Sequence, residues 1–337
     1  MLRHVSAAAL AVALTVLPTS ASADPPFVPW SALLPGLSLE YQPSSAHLCN
    51  SGQLACVDAV LEEMAARLAP LDAACDHNAL FALTYLRTTE AYRAAVTEPG
   101  FFSDPGFINH QDAVFASYYF QAWDAYRQSS ASAPGAWRLA FSAADARAIS
   151  GLGNILLGMS AHVNRDLPYV LAAIGLVKPD GSSRKPDHDR VNVFLNRVVE
   201  PLFAEAAARF DPTVDDLQLG GTQLDDAALL QLLVGWREVA FRQAELLVAA
   251  PTPQARLLIE QEIERLATIE ANLIIVATAY APLRVQQALG ELAALLAEPA
   301  RVLQALADRN ANLLRGLLGT LLTPGALARD RYCQSHS

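Results

Sequence analysis

Apolar residues recur every three or four positions along almost the whole chain, which is the period of a helix with one buried face. No segment shows the strict alternation of apolar and polar residues that is typical of a half-buried strand. The pattern predicts helices at about 56–69, 77–96, 109–129, 135–148, 150–176, 187–210, 225–249, 253–296 and 298–322. We therefore expect an all-α protein: a single large helical bundle of about nine helices, preceded by a Pro-rich N-terminal arm.

The first residues have the layout of a secretory signal peptide. Arg3 gives a basic start, residues 7–17 are mostly apolar, and Ala21-Ser22-Ala23 is a small-residue cleavage signal. The protein is therefore expected to be secreted or periplasmic after cleavage behind Ala23. No later stretch reaches about 18 uninterrupted apolar residues, so no transmembrane segment is expected in the mature chain.

The remaining chain divides by composition into three parts. Residues 24–55 are predicted to form an extended Pro-rich arm with a Cys loop, and residues 56–250 a helical core domain. Residues 251–337 are predicted to supply C-terminal helices packed on the core, followed by a polar tail. Pro282 is expected to kink or divide the long helix that contains it.

Composition excludes one class of partner and leaves another open. Hydrophobic residues make up 53% of the chain and charged residues 17%, against about 25% charged residues in ordinary soluble domains. Many helices must be buried, or an apolar surface must bind a small-molecule or lipid-like ligand. The net charge of −10 repels phosphate backbones, so nucleic acid is not expected as a partner.

All four cysteines lie behind the predicted signal peptide, where oxidation is the default. Cys49 with Cys56 would close a short loop and Cys75 with Cys333 would tie down the tail, although three pairings are open in principle. No Cys-x-x-Cys-His motif is present, so haem attachment is not expected.

The greatest concentration of polar chemistry lies inside an apolar helix, in the stretch Gly158-Met-Ser-Ala-His162-Val-Asn164-Arg-Asp166-Leu-Pro168. His162 and Asp166 are four residues apart and share a helix face, so an imidazole and a carboxylate can hold one metal or share one proton. Gly158, one turn earlier, leaves room for something to approach. We take His162, Asn164 and Asp166 as candidate catalytic residues.

Pro168 allows two interpretations of this stretch. It lacks an N–H and crowds the carbonyl of Asn164, so the helix is expected to kink and to free that carbonyl as a third polar group. Alternatively, Asp166 caps a second helix with Pro168 in its first turn, and His162 is hydrogen-bonded to a neighbouring helix.

Two later helices offer partners. Asn192 lies among Val and Phe, which predicts an inward-facing amide, and His188 precedes it by one turn. Glu238 and Arg242 have ion-pair spacing, and we favour a buried pair that fixes helix packing. Arg237 or Arg242 as an anchor for an anionic substrate is the alternative. Asn192, Arg237 and Arg242 are thus the candidate substrate-binding residues.

Other polar residues are interpreted as structural. His110 and Asp112 stand at the start of a predicted helix, where capping is favoured over ligation. Tyr85, Tyr118 and Tyr119 are expected to be core aromatics.

Residues from about 60 to 250 resemble a family of uncharacterised bacterial all-helical domains of unknown function. The resemblance rests on Thr84-Tyr-Leu-Arg-Thr88, Phe115-Ala-Ser-Tyr-Tyr-Phe120, Ala161-His-Val-Asn-Arg-Asp-Leu-Pro168 and Trp236-Arg-Glu-Val-Ala-Phe-Arg242. The His-x-Asn-x-Asp-Leu-Pro string is its specific part. The resemblance implies an all-α domain and contributes no substrate and no mechanism.

Two functions remain from the sequence. One is an exported hydrolase with a buried His/Asp site, in which His162, Asp166 and His188 would be the ligands if a single divalent metal is bound. A three-zinc centre, as in the similar helical phospholipase C proteins, would need more histidines, and the strandless pattern argues against a nucleotide cofactor. The other is a non-catalytic helical protein that binds a lipid, a hydrophobic metabolite or a protein partner.

Overall fold

The computed structural model of the protein describes residue 49 and residues 51–214, 224–280 and 324–336, with the backbone alone described at 224–227 and 324. Its α-helices are α1 (Leu54–Ala73), α2 (Ala79–Ala95), α3 (Pro105–Gln128), α4 (Gly135–Asp145), α5 (Gly151–Ser160), α6 (Leu167–Ile174), α7 (Lys185–Arg209), α8 (Leu224–Ala249), α9 (Pro253–Thr278) and α10 (Pro324–His336). A π-helical stretch, Ala161–Asp166, joins α5 to α6 without a break. Counted with that stretch as one rod, the described residues form nine helices and no strand, so the all-α prediction is confirmed.

Some predicted boundaries and one predicted helix need comment. The helix expected from 109 begins at Pro105, because the Asp104 side chain accepts a hydrogen bond from the backbone N–H of Phe107 and caps it. The helix expected to reach 296 ends at Thr278, where the chain turns extended. The signal peptide, most of the arm and the helix predicted at 298–322 lie outside the described residues.

Helix α2 is the centre of the bundle. Every residue from 79 to 86 is buried, as expected for a helix with apolar residues on all sides. It packs on α1, α5 and α7, while α9 packs on α4 and α5, and α8 packs on α6. Helix α2 therefore contributes side chains to hydrophobic clusters on both of its sides.

The rod from α5 to α6 accommodates Pro168 without ending. The backbone N–H of Leu167 donates to the carbonyl of His162, five residues earlier, which is the π-helical pattern. A widened turn therefore precedes Pro168, and the chain continues as α6 through the residue that was expected to kink it. The alternative of a side-chain cap is wrong, because Asp166 makes no cap hydrogen bond and uses its carboxylate elsewhere.

Both cysteine pairs favoured by the sequence are at disulfide-bonding distance. The Cα atoms are 5.8 Å apart in Cys49–Cys56 and 5.9 Å apart in Cys75–Cys333, which hints at an oxidising compartment. The second bridge fastens α10 to the start of α2. In the described part of the chain, no helix is long and apolar enough to cross a membrane.

Candidate functional site

A cavity of about 120 Å³ lies where helices α2, α3, α5, α7 and α8 meet the π-helical stretch. The wall from α2 is a stripe of hydroxyl-bearing and aromatic side chains, and α3 adds Gln111, Asp112 and Phe115. His162 and Val163 come from the π-helical stretch, α7 supplies apolar side chains, and α8 supplies Leu233 and Arg237. The cavity is therefore a mainly apolar space with a few polar groups placed around it, which is the usual composition of a small-molecule site.

His162 is held inside an aromatic box. Its ring stacks on Phe115 with the centroids 3.5 Å apart and the planes 6° apart, and Tyr85 meets it edge-on at 4.6 Å. The residue is only 3% exposed, and its Nε2 atom has no hydrogen-bond partner among the described residues. Burial lowers the pKa of His162, against a smaller opposing effect of Asp166, so the imidazole is neutral at physiological pH.

Asp166 determines which ring nitrogen of His162 carries the proton. Its Oδ2 atom accepts from Trp137 Nε1 at 2.8 Å and lies 3.0 Å from His162 Nδ1, and its Oδ1 atom accepts from Arg165 at 2.8 Å. Both carboxylate oxygens of Asp166 thus act as acceptors at this site. His162 therefore donates from Nδ1, and Nε2 is left as an unprotonated, unpartnered acceptor.

Three more residues of the cavity wall carry buried polar atoms without a partner among the described residues. They are Tyr85 Oη, Thr89 Oγ1 and Asp112 Oδ2. Burial raises the pKa of Asp112 from 3.8 to about 8, so the carboxyl group is protonated at neutral pH and can donate a hydrogen bond. Burial also raises the pKa of Tyr85 well above its usual value. Unpaired buried polar atoms are uncommon, and four around one cavity indicate a site for a ligand.

Arg237 is a buried cation in the same wall. It is 5% exposed, its Nε donates to Asn192 Oδ1 at 2.8 Å, and its Nη2 donates to the carbonyl of His188 at 2.6 Å. Burial lowers the pKa of Arg237 to about 10, so the guanidinium remains charged at neutral pH. The expected inward orientation of Asn192 thus positions Arg237.

The structure separates the remaining predicted residues from the cavity. Asn164 is on the opposite side of the rod and donates to Glu270 on α9 at 2.6 Å. Arg242 contacts Glu238 and Glu245, each at 2.9 Å, and belongs to helix packing.

His188 is not brought together with His162 and Asp166 as a metal ligand. Its Nε2 donates to the carbonyl of Arg237, 3.1 Å away, and burial together with the Arg237 charge lowers its pKa strongly. Within the described residues, no group of three His, Cys, Asp or Glu side chains has the geometry to hold a metal ion. The predicted ligands His162, Asp166 and His188 therefore do not form one site. His188 contacts the Arg237 guanidinium and backbone instead.

Sequence reasoning missed Asp112 and Thr89. Asp112 was expected near a helix start, but α3 begins seven residues earlier, so its carboxyl group lies inside the helix and cannot cap it. A better signal was available in the Asp104-Pro105 pair, which marks the true start of α3. Thr89 carried no sequence signal, since only the packing of α2 against α3 and α7 makes its hydroxyl an unpartnered group.

The site combines a proton acceptor and a proton donor in one wall. The His162 imidazole is neutral because burial lowers its pKa, so its Nε2 can accept a proton. The Asp112 carboxyl group is protonated because burial raises its pKa. Environments that shift the pKa values of two neighbouring groups apart are typical of acid–base sites.

The comparisons with known proteins concern the part of the chain that holds this cavity. The model of DUF5995, a family of unknown function, matches residues 57–277, which is more than half of the chain and includes every residue of the cavity wall. No curated protein and no solved structure matches the chain. The chain belongs to the DUF5995 family, a family of unknown function.

Proposed function

We propose that the protein is an exported hydrolase that uses His162 as a general base and Asp112 as a general acid on a small ester or amide. The observation that carries the proposal is the unpartnered Nε2 atom of a neutral histidine in the same cavity wall as a protonated carboxyl group. Of the polar residues near His162, only His162 itself faces the substrate as an acceptor, and Asp166 orients its ring.

The reaction follows from these two protonation states. A water molecule in the cavity gives one proton to His162 Nε2 while its oxygen forms a bond to the carbonyl carbon of the substrate. The hydroxyl groups of Tyr85 and Thr89 are available to donate to the carbonyl oxygen as it becomes negative. The bond to the leaving group then breaks, and Asp112 donates its proton to that group. Proton return from His162 to Asp112 through solvent restores the starting state.

This mechanism needs no metal. The proposal that the protein is exported has separate support. Asp166 holds His162 by Nδ1, so Nε2 remains the only ring atom that can serve the substrate. Export is supported by the signal-peptide layout of residues 1–23 and by the two cysteine pairs. A single divalent metal on His162 would compete with the base role, because it would use the same nitrogen atom.

The test compares His162→Gln with His77→Gln on a panel of p-nitrophenyl and anilide derivatives of short acyl groups. His77 is a matched control, since it is also buried and also contacts a carboxylate, Asp330 at 2.8 Å, but does not line the cavity. We expect His162→Gln to lower kcat by about 10²–10⁴-fold, the usual contribution of a general base. His77→Gln should change the unfolding temperature and leave kcat near the wild-type value.

Two results would contradict the proposal. One is a wild-type protein that hydrolyses no member of the panel above the buffer rate. The other is a loss of activity that is equal in the two variants, which would assign the effect to stability. Elemental analysis of the purified protein adds an independent check, because one equivalent of zinc or iron would favour a metal on His162 over the base role.

A second candidate is binding of a lipid, a hydrophobic metabolite or a protein partner by the C-terminal helices. It is supported by exposed apolar side chains on α9, among them Leu258 at 67%, Leu273 at 64% and Val276 at 72% exposure. Removing the chain after residue 250 would not test it cleanly, because Glu270 on α9 is bonded to Asn164 in the core. Leu273→Ser with Val276→Ser is the better variant: it should abolish co-sedimentation with phosphatidylcholine vesicles if α9 binds lipid.

A further inference from the structure

Arg237 differs from the other deeply buried arginine of the described residues. Arg329 has the carboxylate of Asp211 at 4.0 Å, whereas Arg237 has no carboxylate within ion-pair distance in the described part of the chain. Its hydrogen-bond partners among the described residues are the Asn192 amide oxygen, the His188 carbonyl and, at 3.4 Å, the His188 ring, and all of them are neutral. A buried cation satisfied only by neutral acceptors is costly, and an anion beside it would offset that cost.

The guanidinium is also geometrically incomplete. Nε and Nη2 are used by Asn192 and His188, while Nη1 makes no hydrogen bond within the described residues. Asn192 and His188 hold the planar group in a fixed orientation in the wall of the cavity. A fixed guanidinium edge with a free donor suits a planar carboxylate better than a neutral group.

The side chains of the wall near Arg237 are apolar and favour a ligand with an apolar chain or ring. Val191, Phe194 and Leu195 come from α7, and Leu233 lies one turn before Arg237 on α8. The cavity volume of about 120 Å³ is slightly smaller than the roughly 150 Å³ cavity that accepts one benzene molecule in another protein. The occupant is therefore short, of the size of one ring or of a chain of a few carbon atoms.

We propose that the cavity binds a short-chain organic carboxylate, with its anionic group on Arg237 and its apolar chain against α7 and α8. The inference rests on the proposed function only where it names the substrate class, because hydrolysis of an acyl compound releases a carboxylic acid. Binding itself does not depend on turnover. Arg237 is thus a specificity-determining residue, and the substrate class is a small acyl compound that carries or yields a carboxylate.

The experiment measures binding of pentanoate, pentanamide and pentylamine to the full chain by calorimetry, without any reaction. The three probes share one chain and differ in charge. We expect wild-type protein to bind pentanoate at least about tenfold more tightly than pentanamide, the gain typical of a hydrogen bond to a charged group, and not to bind pentylamine. Arg237→Met should remove this preference, and Arg237→Lys should retain part of it.

Arg242→Gln is the matched control, because Arg242 is on the same helix but outside the cavity wall and should leave the preference unchanged. If Arg237→Met does not fold, the wild-type preference among the three probes still decides the question. Equal binding of pentanoate and pentanamide, preference for the amine, or binding of none of the three would overturn the inference. Carboxylate binding without hydrolysis of any ester would overturn the proposed function and leave this inference standing.

Discussion

Asp112→Asn is expected to stabilise the folded protein at neutral pH. Burial raises the pKa of Asp112 from 3.8 to about 8, and its Oδ2 atom has no partner among the described residues. An acid with a higher pKa in the folded state binds more protons folded than unfolded between those two values. Stability therefore falls as the pH rises from about 4 to about 8. Asparagine has nearly the same shape and cannot ionise, so the variant escapes this loss.

The size of the effect follows from the two pKa values. Each pKa unit between 3.8 and the solution pH is equivalent to about 1.4 kcal/mol. About three such units lie between 3.8 and pH 7, so the variant can gain at most about 4 kcal/mol in free energy of unfolding over the wild type. Because Asp112 is only partly buried as a residue and water in the cavity would hydrate its carboxylate, we expect about 2 kcal/mol.

The assay is urea unfolding of both proteins at about pH 4 and about pH 7 with the disulfides intact. The two stabilities should be similar at the lower pH, and the variant should be the more stable at the higher pH. Asp124→Asn is the control on the same helix: Asp124 is paired with Arg67 at 2.6 Å and half exposed, so its loss should lower stability by at most about 1 kcal/mol. The reasoning is refuted if Asp112→Asn brings no gain at pH 7, or an equal gain at pH 4.

Three further predictions concern activity and packing. For any substrate that is hydrolysed, kcat/KM should fall as the pH rises through about 8, when Asp112 ionises, and should persist below pH 6.5 because burial lowers the pKa of His162. Asp112→Asn should lower kcat because it removes the general acid, and the pH-rate profile of its remaining activity should show no alkaline fall. Gly158→Ala should lower the free energy of unfolding by about 1–3 kcal/mol, since its Cβ would collide with the Phe81 ring. A Cβ at Gly235 meets nothing within 4 Å, so the control Gly235→Ala should be neutral or stabilising. Equal effects of the two variants on unfolding would contradict this reasoning. Replacing Cys75 and Cys333 by Ala should cost about 2–5 kcal/mol because the bridge closes a loop of sequence separation 258, and an unchanged denaturant midpoint would show that the bridge does not restrain the unfolded chain.

Helix positions followed from the sequence wherever period and turn chemistry agreed. The expected helix at 225–249 is found at Leu224–Ala249, and the one at 135–148 at Gly135–Asp145, because both have an apolar face bounded by turn residues. The start of α3 was missed: the helix was predicted from 109, whereas Asp104 caps it and Pro105 is its first residue. Pro168 was expected to kink the helix, and the structure places a π-helical turn immediately before it, which the period of apolar residues did not indicate.

The candidate site was predictable only in part. The contact of His162 with Asp166 follows from their spacing, which any helix would impose. Spacing does not tell which polar residues line the cavity and which make other contacts. Asn164 is two residues from His162 and contacts α9, while Arg237, on a distant helix, lies in the same wall as His162.

The sequence by itself determined the all-α class, the extent of most helices, the favoured cysteine pairs and the His162–Asp166 contact, because these depend on period, turn chemistry and local spacing. Only the tertiary structure decided that Asp112, Thr89 and Tyr85 share a cavity with His162, and that Arg237 lies in its wall with no carboxylate partner among the described residues. Burial determines which of these polar atoms lack a partner and which pKa values are shifted, and that burial depends on how five helices and the π-helical stretch surround one space. The sequence of any one helix does not determine it.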